Sequence, residues 1–309
     1  MSWFRRAVRP AAKVTSTEAA AFDGIRLDSL SVAYQGREVV SGVSGCFAPG
    51  QLSAIVGPNG AGKSSLLAAI TGRVGPSAGA VLMPAGVRAQ LAWLPQQAQI
   101  ERSVPLCVAD VVALGLWREL GAFGGMRAAH HVRVAQALAE VGLSDAAQRP
   151  VAALSAGQFQ RMLFARLLLQ DARVLLLDEP FNAVDEDTTA ALMAIVQRWR
   201  GEGRTVIAVL HDLQLVREAF DQILWLNRRC LAWGPTAAVL QARGEPAPTE
   251  RPEWSSLPEF DLPELPIDTA PSGLPMLGHA LHNRPVALHQ LHRYGLAGHD
   301  AARHQGPRP

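Results

Sequence analysis

The segment Gly57-Pro58-Asn59-Gly60-Ala61-Gly62-Lys63-Ser64-Ser65 has glycines at its first and sixth positions, followed at once by a lysine and two hydroxyls. Glycine-rich backbone of this spacing lets successive N–H groups converge on an anion, and a helix starting at Lys63 adds its positive dipole end. The chemistry is phosphate recognition, with Lys63 reaching the β- and γ-phosphates of a nucleotide and the Ser64 hydroxyl ligating Mg²⁺. Lysine occurs only at Lys13 and Lys63, so the lysine of the expected folded region sits in this loop. A compact ammonium reaches between phosphate oxygens, where a planar guanidinium is too bulky.

Further along, "VLLLDEP" is an apolar run ending in the adjacent carboxylates Asp178 and Glu179. Neighbouring strand residues face opposite ways, and a turn at the strand end can redirect the second. Asp178 can then hold Mg²⁺ through water while Glu179 points at the γ-phosphate and orients the attacking water. His211 follows the run "TVIAVL", where a strand tip would bring it beside the same nucleotide. The stretch "LSAGQFQR", residues 154–161, opens an apolar helix with Ser155 and looks like half of a phosphate site, yet no cradling loop lies next to it.

These residues need a scaffold that brings strand ends together. From about 25 to 240 short β-like runs alternate with helical periods, the pattern of an α/β domain around a largely parallel sheet. "LSAIV" (52–56), "VLLLD" (174–178) and "TVIAVL" (205–210) read as buried strands. Between roughly 101 and 170 no strand pattern occurs, while "HHVRVAQALAEVGL" and "GQFQRMLFARLLLQ" have helical spacing, which predicts a helical subdomain inserted at about 100–170. The expected organisation is a flexible extension over 1–23, the α/β domain over 24–240, a Pro-rich linker over 241–278 and a His-rich tail over 279–309.

Composition narrows the function classes. An apolar share of 49% over 309 residues suffices for a substantial core, and a net charge of +2 gives no reason to expect nucleic acid as a partner. Cys46, Cys107 and Cys230 stand in no metal-like or redox-like spacing and read as reduced, small apolar residues. No apolar run approaches a membrane span, and the first residues lack the continuous apolar stretch of a secretory signal, so a cytosolic chain is expected.

Taken in order, these elements resemble the nucleotide-binding subunit of ABC (ATP-binding cassette) transporters over nearly the whole of 25–240. The resemblance implies a P-loop NTPase fold of the ABC ATPase type, with an inserted helical subdomain, an antiparallel β subdomain and a disordered C-terminal tail. It implies ATP and Mg²⁺ as cofactors and assigns further residues. Tyr34 in "VAYQG" corresponds to the aromatic that stacks on adenine, and Gln96 in "WLPQQ" to the glutamine that senses Mg²⁺ and the water. "LSAGQ" corresponds to the signature motif, "NAVD" to the loop ending in Asp185, and "LHD" to the switch histidine His211. In that family two cassettes pack head to tail, so Ser155, Gly157 and Gln158 of one copy face the γ-phosphate held by Lys63 of the other. Ala156 replaces the more usual glycine of the signature, and "NAVD" departs from the commoner "SALD" while keeping the aspartate.

The resemblance also implies partners: integral-membrane permease subunits, a second copy of the chain and, indirectly, a solute-binding protein outside the membrane, with the chain peripheral on the cytoplasmic face. "SVPLCVADVVALGLW" and "HDLQLVREAFDQILWLNRRCLAWGPTAAVL" look like the zinc/manganese uptake branch. The alternatives are uptake of iron chelates or cobalamin and, in a different class, an ABC ATPase of translation or DNA repair. Those last carry two cassettes or a long coiled coil, and this chain has neither. The H-x-x-H pairs His279/His282 and His289/His292 could bind Zn²⁺ or be incidental to a disordered tail. "IERSVPLCVADVVALGLW", residues 100–117, reads either as the wall of a permease-docking groove or as ordinary subdomain core.

Overall fold

Three five-residue apolar runs, LSAIV, VLLLD and TVIAV, are buried at every position, as strands covered on both faces must be. They lie side by side in a computed structural model that describes residues 24–96, 105–121, 124–182 and 184–244. The N-terminal extension, the body of the Pro-rich linker, the His-rich tail and residues 100–104 of the docking segment lie outside the described residues.

In chain order the strands are β1 (Ile25–Tyr34), β2 (Arg37–Phe47), β3 (Leu52–Val56), β4 (Ala78–Leu82), β5 (Leu91–Leu94), β6 (Val174–Asp178), β7 (Thr205–Val209), β8 (Gln222–Asn227) and β9 (Arg229–Pro235). The helices are α1 (Lys63–Thr71), α2 (Val108–Ala113), α3 (Trp117–Leu120), α4 (Ala128–Glu140), α5 (Ala156–Gln170), α6 (Glu186–Gly201), α7 (Leu213–Ala219) and α8 (Thr236–Ala242), which runs just past the boundary expected at 240. One sheet has the order β5-β6-β7-β3-β8-β9, parallel except for the final β8/β9 hairpin. The other is the antiparallel sheet β2-β1-β4.

Side-chain alternation divides the core. Leu175, Leu177, Val206 and Ala208 face the layer that contains α2, α4 and α5. Leu176, Ile207 and Val209 face α1 and the small antiparallel sheet. The helical insertion between β5 and β6 is therefore no separate globule: its apolar residues and one face of the main sheet form a single cluster. Val108, Val111, Val112 and Leu116 sit inside that cluster and are at most 1% exposed. Within 105–117 these four side chains belong to the core, because the helix turns them toward α4 and α5, whereas Leu106, Leu114 and Trp117 are only half-buried.

β3, β6 and β7 are parallel neighbours, so their C-terminal ends open on the same edge of the sheet, the usual place for ligand chemistry in such folds. The phosphate loop leaves β3, Glu179 leaves β6, and His211 lies just beyond β7.

Candidate functional site

The loop after β3 is held in a shape only glycine permits at two points. Gly57 has φ +152° and Gly62 has φ +94°. A Cβ would fall 1.9 Å from the Leu226 carbonyl at the first and 2.5 Å from the Val39 carbonyl at the second. The turn between β8 and β9 stitches the loop to β2: Arg228 N–H donates to the Ala61 carbonyl at 2.9 Å, and Ser41 N–H donates to the Arg228 carbonyl at 2.7 Å. Lys63 opens α1 and is only 6% exposed; its Nζ donates to the carbonyls of Gly57 (2.8 Å) and Pro58 (3.0 Å). Burial pulls its ammonium below the ordinary lysine value, against the opposing pull of Glu179 and Asp178.

Asp178 ends β6 and is 2% exposed. Burial raises its carboxyl above the usual range, a hydrogen bond from the Ser64 hydroxyl acts in the opposite sense, and Oδ1 is buried with no partner among the described residues. An orphaned, hard carboxylate oxygen beside a serine hydroxyl suits Mg²⁺, which prefers a few oxygen ligands and retained waters. The residues present therefore fit the metal.

Glu179 has φ +52°, a left-handed turn that a glutamate adopts at a cost. This turn sends its side chain away from the face that strand alternation would give it. Its carboxylate lies between three donors: Gln96 Nε2 at 2.7 Å and Asn182 Nδ2 at 3.2 Å on Oε2, with His211 Nε2 at 2.7 Å on Oε1. Burial pushes this carboxyl up, but the His211 and Gln96 hydrogen bonds outweigh it and the net shift is downward. The group is held ionised and aimed, as a base or a water-orienting residue must be. Gln96, expected beside Mg²⁺, here bonds to the Glu179 carboxylate.

A second cluster gathers around the start of α5. Ser155 caps the helix reciprocally with Gln158: Gln158 N–H donates to Ser155 Oγ and Ser155 N–H to Gln158 Oε1, both at 3.2 Å. Gln158, expected at a nucleotide, is thus occupied in shaping the cap. Asp185 caps α6, its Oδ1 accepting from Thr188 N–H at 2.7 Å. The two helix starts adjoin, since a Cβ on Gly157 would lie 3.5 Å from Thr188 Oγ1 and 3.6 Å from Asp185 Oδ2. Ser155 and Ala156 are exposed. Tyr34, at the end of β1, is 44% exposed.

The sequence reading did not find Asn182, Thr188 or Gln160, whose Nε2 donates to the Pro180 carbonyl at 2.6 Å. For Asn182 the spacing to Glu179 is a local signal and for Thr188 the cap spacing to Asp185 is another; for Gln160 none exists, because its contact is made across the fold.

A glycine loop on β3, paired carboxylates on β6 and a histidine beyond β7, all on one sheet edge, define a nucleotide-binding P-loop ATPase. The ABC transporter family model matches residues 40–182. The manganese transport system ATP-binding protein MntB of Halalkalibacterium halodurans is 35% identical over 218 residues, covering 70% of this chain and 87% of that protein. The zinc transport system ATP-binding protein TroB of Treponema pallidum is 37% identical over 219 residues, covering 70% and 82%. A solved ATP-binding subunit of an ABC transporter superposes with a TM-score of 0.62 at 23% identity, over 72% of this chain and 94% of that one. The chain belongs to the ABC transporter family, as an ATP-binding subunit that hydrolyses ATP. Among the described residues no helix is long and apolar enough to cross a membrane.

Proposed function

We propose that this chain powers an importer of a metal ion, zinc or manganese, and acts as a head-to-tail pair on the cytoplasmic face of a membrane, docked on permease subunits supplied by a solute-binding protein. The catalytic half of this reading rests on one observation: the Glu179 carboxylate, aimed by Gln96 and His211, stands beside the loop that holds Lys63 and Ser64. The metal half rests on relatives named for manganese and zinc transport.

In this reading the adenine stacks on Tyr34 and the phosphates lie on the N–H groups of 57–65, where Lys63 exchanges two loop carbonyls for β- and γ-phosphate oxygens. Ser64 and Asp178, with Gln96, would hold Mg²⁺, which when bound neutralises charge on the phosphates. Glu179 orients the attacking water and takes its proton, and His211 and Gln96 keep the carboxylate in line. Ser155, Gly157 and Gln158 of the second copy meet the same γ-phosphate at the positive N-terminal end of α5, and Asp185 borders that contact.

The signature glycine separates function from folding. A Cβ on Gly157 meets only ordinary contacts at 3.5 Å and beyond, and alanine favours helix over glycine. Gly157→Ala is expected to keep or raise the melting temperature, yet to lower ATPase activity by about tenfold or more by crowding the partner's phosphate, an approach only slightly misplaced. Calorimetry and phosphate release read the two effects separately.

The transport reading is tested by deleting the gene and measuring uptake of labelled zinc, manganese, ferric chelate and cobalamin, with wild type and Glu179→Gln as complements. Loss of zinc or manganese uptake, restored by wild type alone, is expected. Loss confined to ferric chelate or cobalamin would replace the metal-ion assignment with the runner-up.

A further inference from the structure

One face of α5 grips the turn that carries the catalytic carboxylate. Gly157, Gln160 and Phe164 are spaced so that they project from the same side of the helix. Gly157 borders Asp185 and Thr188. Gln160 Nε2 donates to the Pro180 carbonyl at 2.6 Å. Phe164 stacks on Phe181 with centroids 6.4 Å apart, and on its other neighbour, Trp199 of α6, at 5.8 Å. The stretch from Glu179 to Asp185 is therefore clasped at its beginning and its end by the helix whose exposed N-terminus carries Ser155. Glu179 sits at the strained residue of this stretch, φ +52°, immediately before the clasped carbonyl. Its own N–H is anchored to the Val209 carbonyl at 3.2 Å on the neighbouring strand. The backbone from Glu179 N to the Pro180 carbonyl is thus fixed at one end by the sheet and at the other by Gln160.

We propose that Gln160 is a positioning residue for ATP hydrolysis: through the Pro180 carbonyl it sets the Glu179 carboxylate, and so ties the base of a chain to the signature end of that same chain. This rests on the head-to-tail reading, in which that signature end touches the partner's nucleotide while Glu179 serves the chain's own. Contact of Ser155 with one γ-phosphate is then transmitted along a rigid helix, through Gln160 and Phe164, to the carboxylate at the other nucleotide. The two sites of the pair are wired within each subunit, over about two and a half turns of one helix, without requiring the helical layer to refold.

The test uses the purified full-length chain. Gln160→Met keeps length and apolar stem but cannot donate, whereas Gln160→Lys restores a donor. Gln160→Met is expected to lower kcat about tenfold, the order of one lost hydrogen bond at the transition state, with KM within about twofold. The Hill coefficient for ATP should fall toward one. Gln160→Lys should recover most of kcat, and Gln160→Met placed on Glu179→Gln should still dimerise with ATP. Unchanged kcat in Gln160→Met, or an equal loss in Gln160→Lys, overturns the proposal. A lost kcat with an unaltered Hill coefficient overturns the wiring between sites. If Glu179→Gln alone stays monomeric in ATP, the shared-site reading fails by itself, and Gln160→Met is then judged on kcat and rescue.

Discussion

Glu179→Gln is expected to slow steady-state ATP hydrolysis by about 10² to 10⁴-fold, the range for loss of a positioned base, while ATP affinity stays within about threefold. The substitution changes neither the loop nor the metal-side residues: Lys63 keeps its glycine-loop partners and Asp178 its Ser64 contact. In the proposed mechanism, what it removes is the acceptor for the water's proton. Because the nucleotide binds but is not consumed, the variant should accumulate as an ATP-bound pair on size exclusion, where wild type is monomeric once ATP is spent. ADP should not support the pair. A variant that hydrolyses at more than about a tenth of the wild-type rate would move the base elsewhere.

The same variant carries a smaller folding cost with a definite cause. Gln96, Asn182 and His211 all direct nitrogen atoms at the Glu179 carboxylate. A glutamine amide has one oxygen to offer them, so its NH₂ faces at least one of these donors. An unpaired polar group of this kind costs about 1–3 kcal/mol when buried, less where the His211 ring changes tautomer and accepts. The loss of turnover is far larger than this and cannot be attributed to it.

The parts of the site that the sequence made legible are those whose physics is local. The phosphate loop follows from glycine spacing between an apolar run and a helix start, and the strands 52–56 and 174–178 have the bounds expected, because a short apolar run between turn residues has few other uses. The run at 205–210 becomes a strand one residue shorter, ending at Val209, although Leu210 N–H still donates to the Ile55 carbonyl of β3 at 3.1 Å. The antiparallel sheet was reached only through family resemblance: β1 breaks its alternation with register shifts between Leu27 and Val32, and Ser29 adopts φ +48°. An apolar stretch such as 105–117 does not state which side of its helix meets water, and the core takes Val108, Val111 and Val112. The Ser155–Gln158 spacing is itself a capping-box signature, yet family resemblance pointed past it to a nucleotide. Asp185 carries the same lesson, since a cap and a loop contact use one carboxylate. Gln160 is illegible in sequence because its partner is a backbone carbonyl twenty residues away.

Lys63→Met should act on stability and function in opposite directions. In the nucleotide-free protein the ammonium is 6% exposed and satisfied by two neutral carbonyls, and burial outweighs the attraction of Asp178 and Glu179. The charge is therefore kept in place at a net cost to the empty protein, and an apolar side chain of similar length removes that cost. The melting temperature without nucleotide should hold or rise. Bound ATP reverses the balance, since its phosphate oxygens supply the partner the ammonium lacks. Removing one member of such a buried pair typically costs about 2–5 kcal/mol, which weakens ATP binding by about thirtyfold to several thousandfold. The stabilisation that saturating ATP gives wild type, which follows mass action, should accordingly shrink or vanish in Lys63→Met at the same ATP concentration. A pair of thermal melts with and without ATP distinguishes this from misfolding: a variant destabilised in both conditions would show that Lys63 holds the loop together, whereas one stable when empty and indifferent to ATP assigns the buried ammonium to the nucleotide.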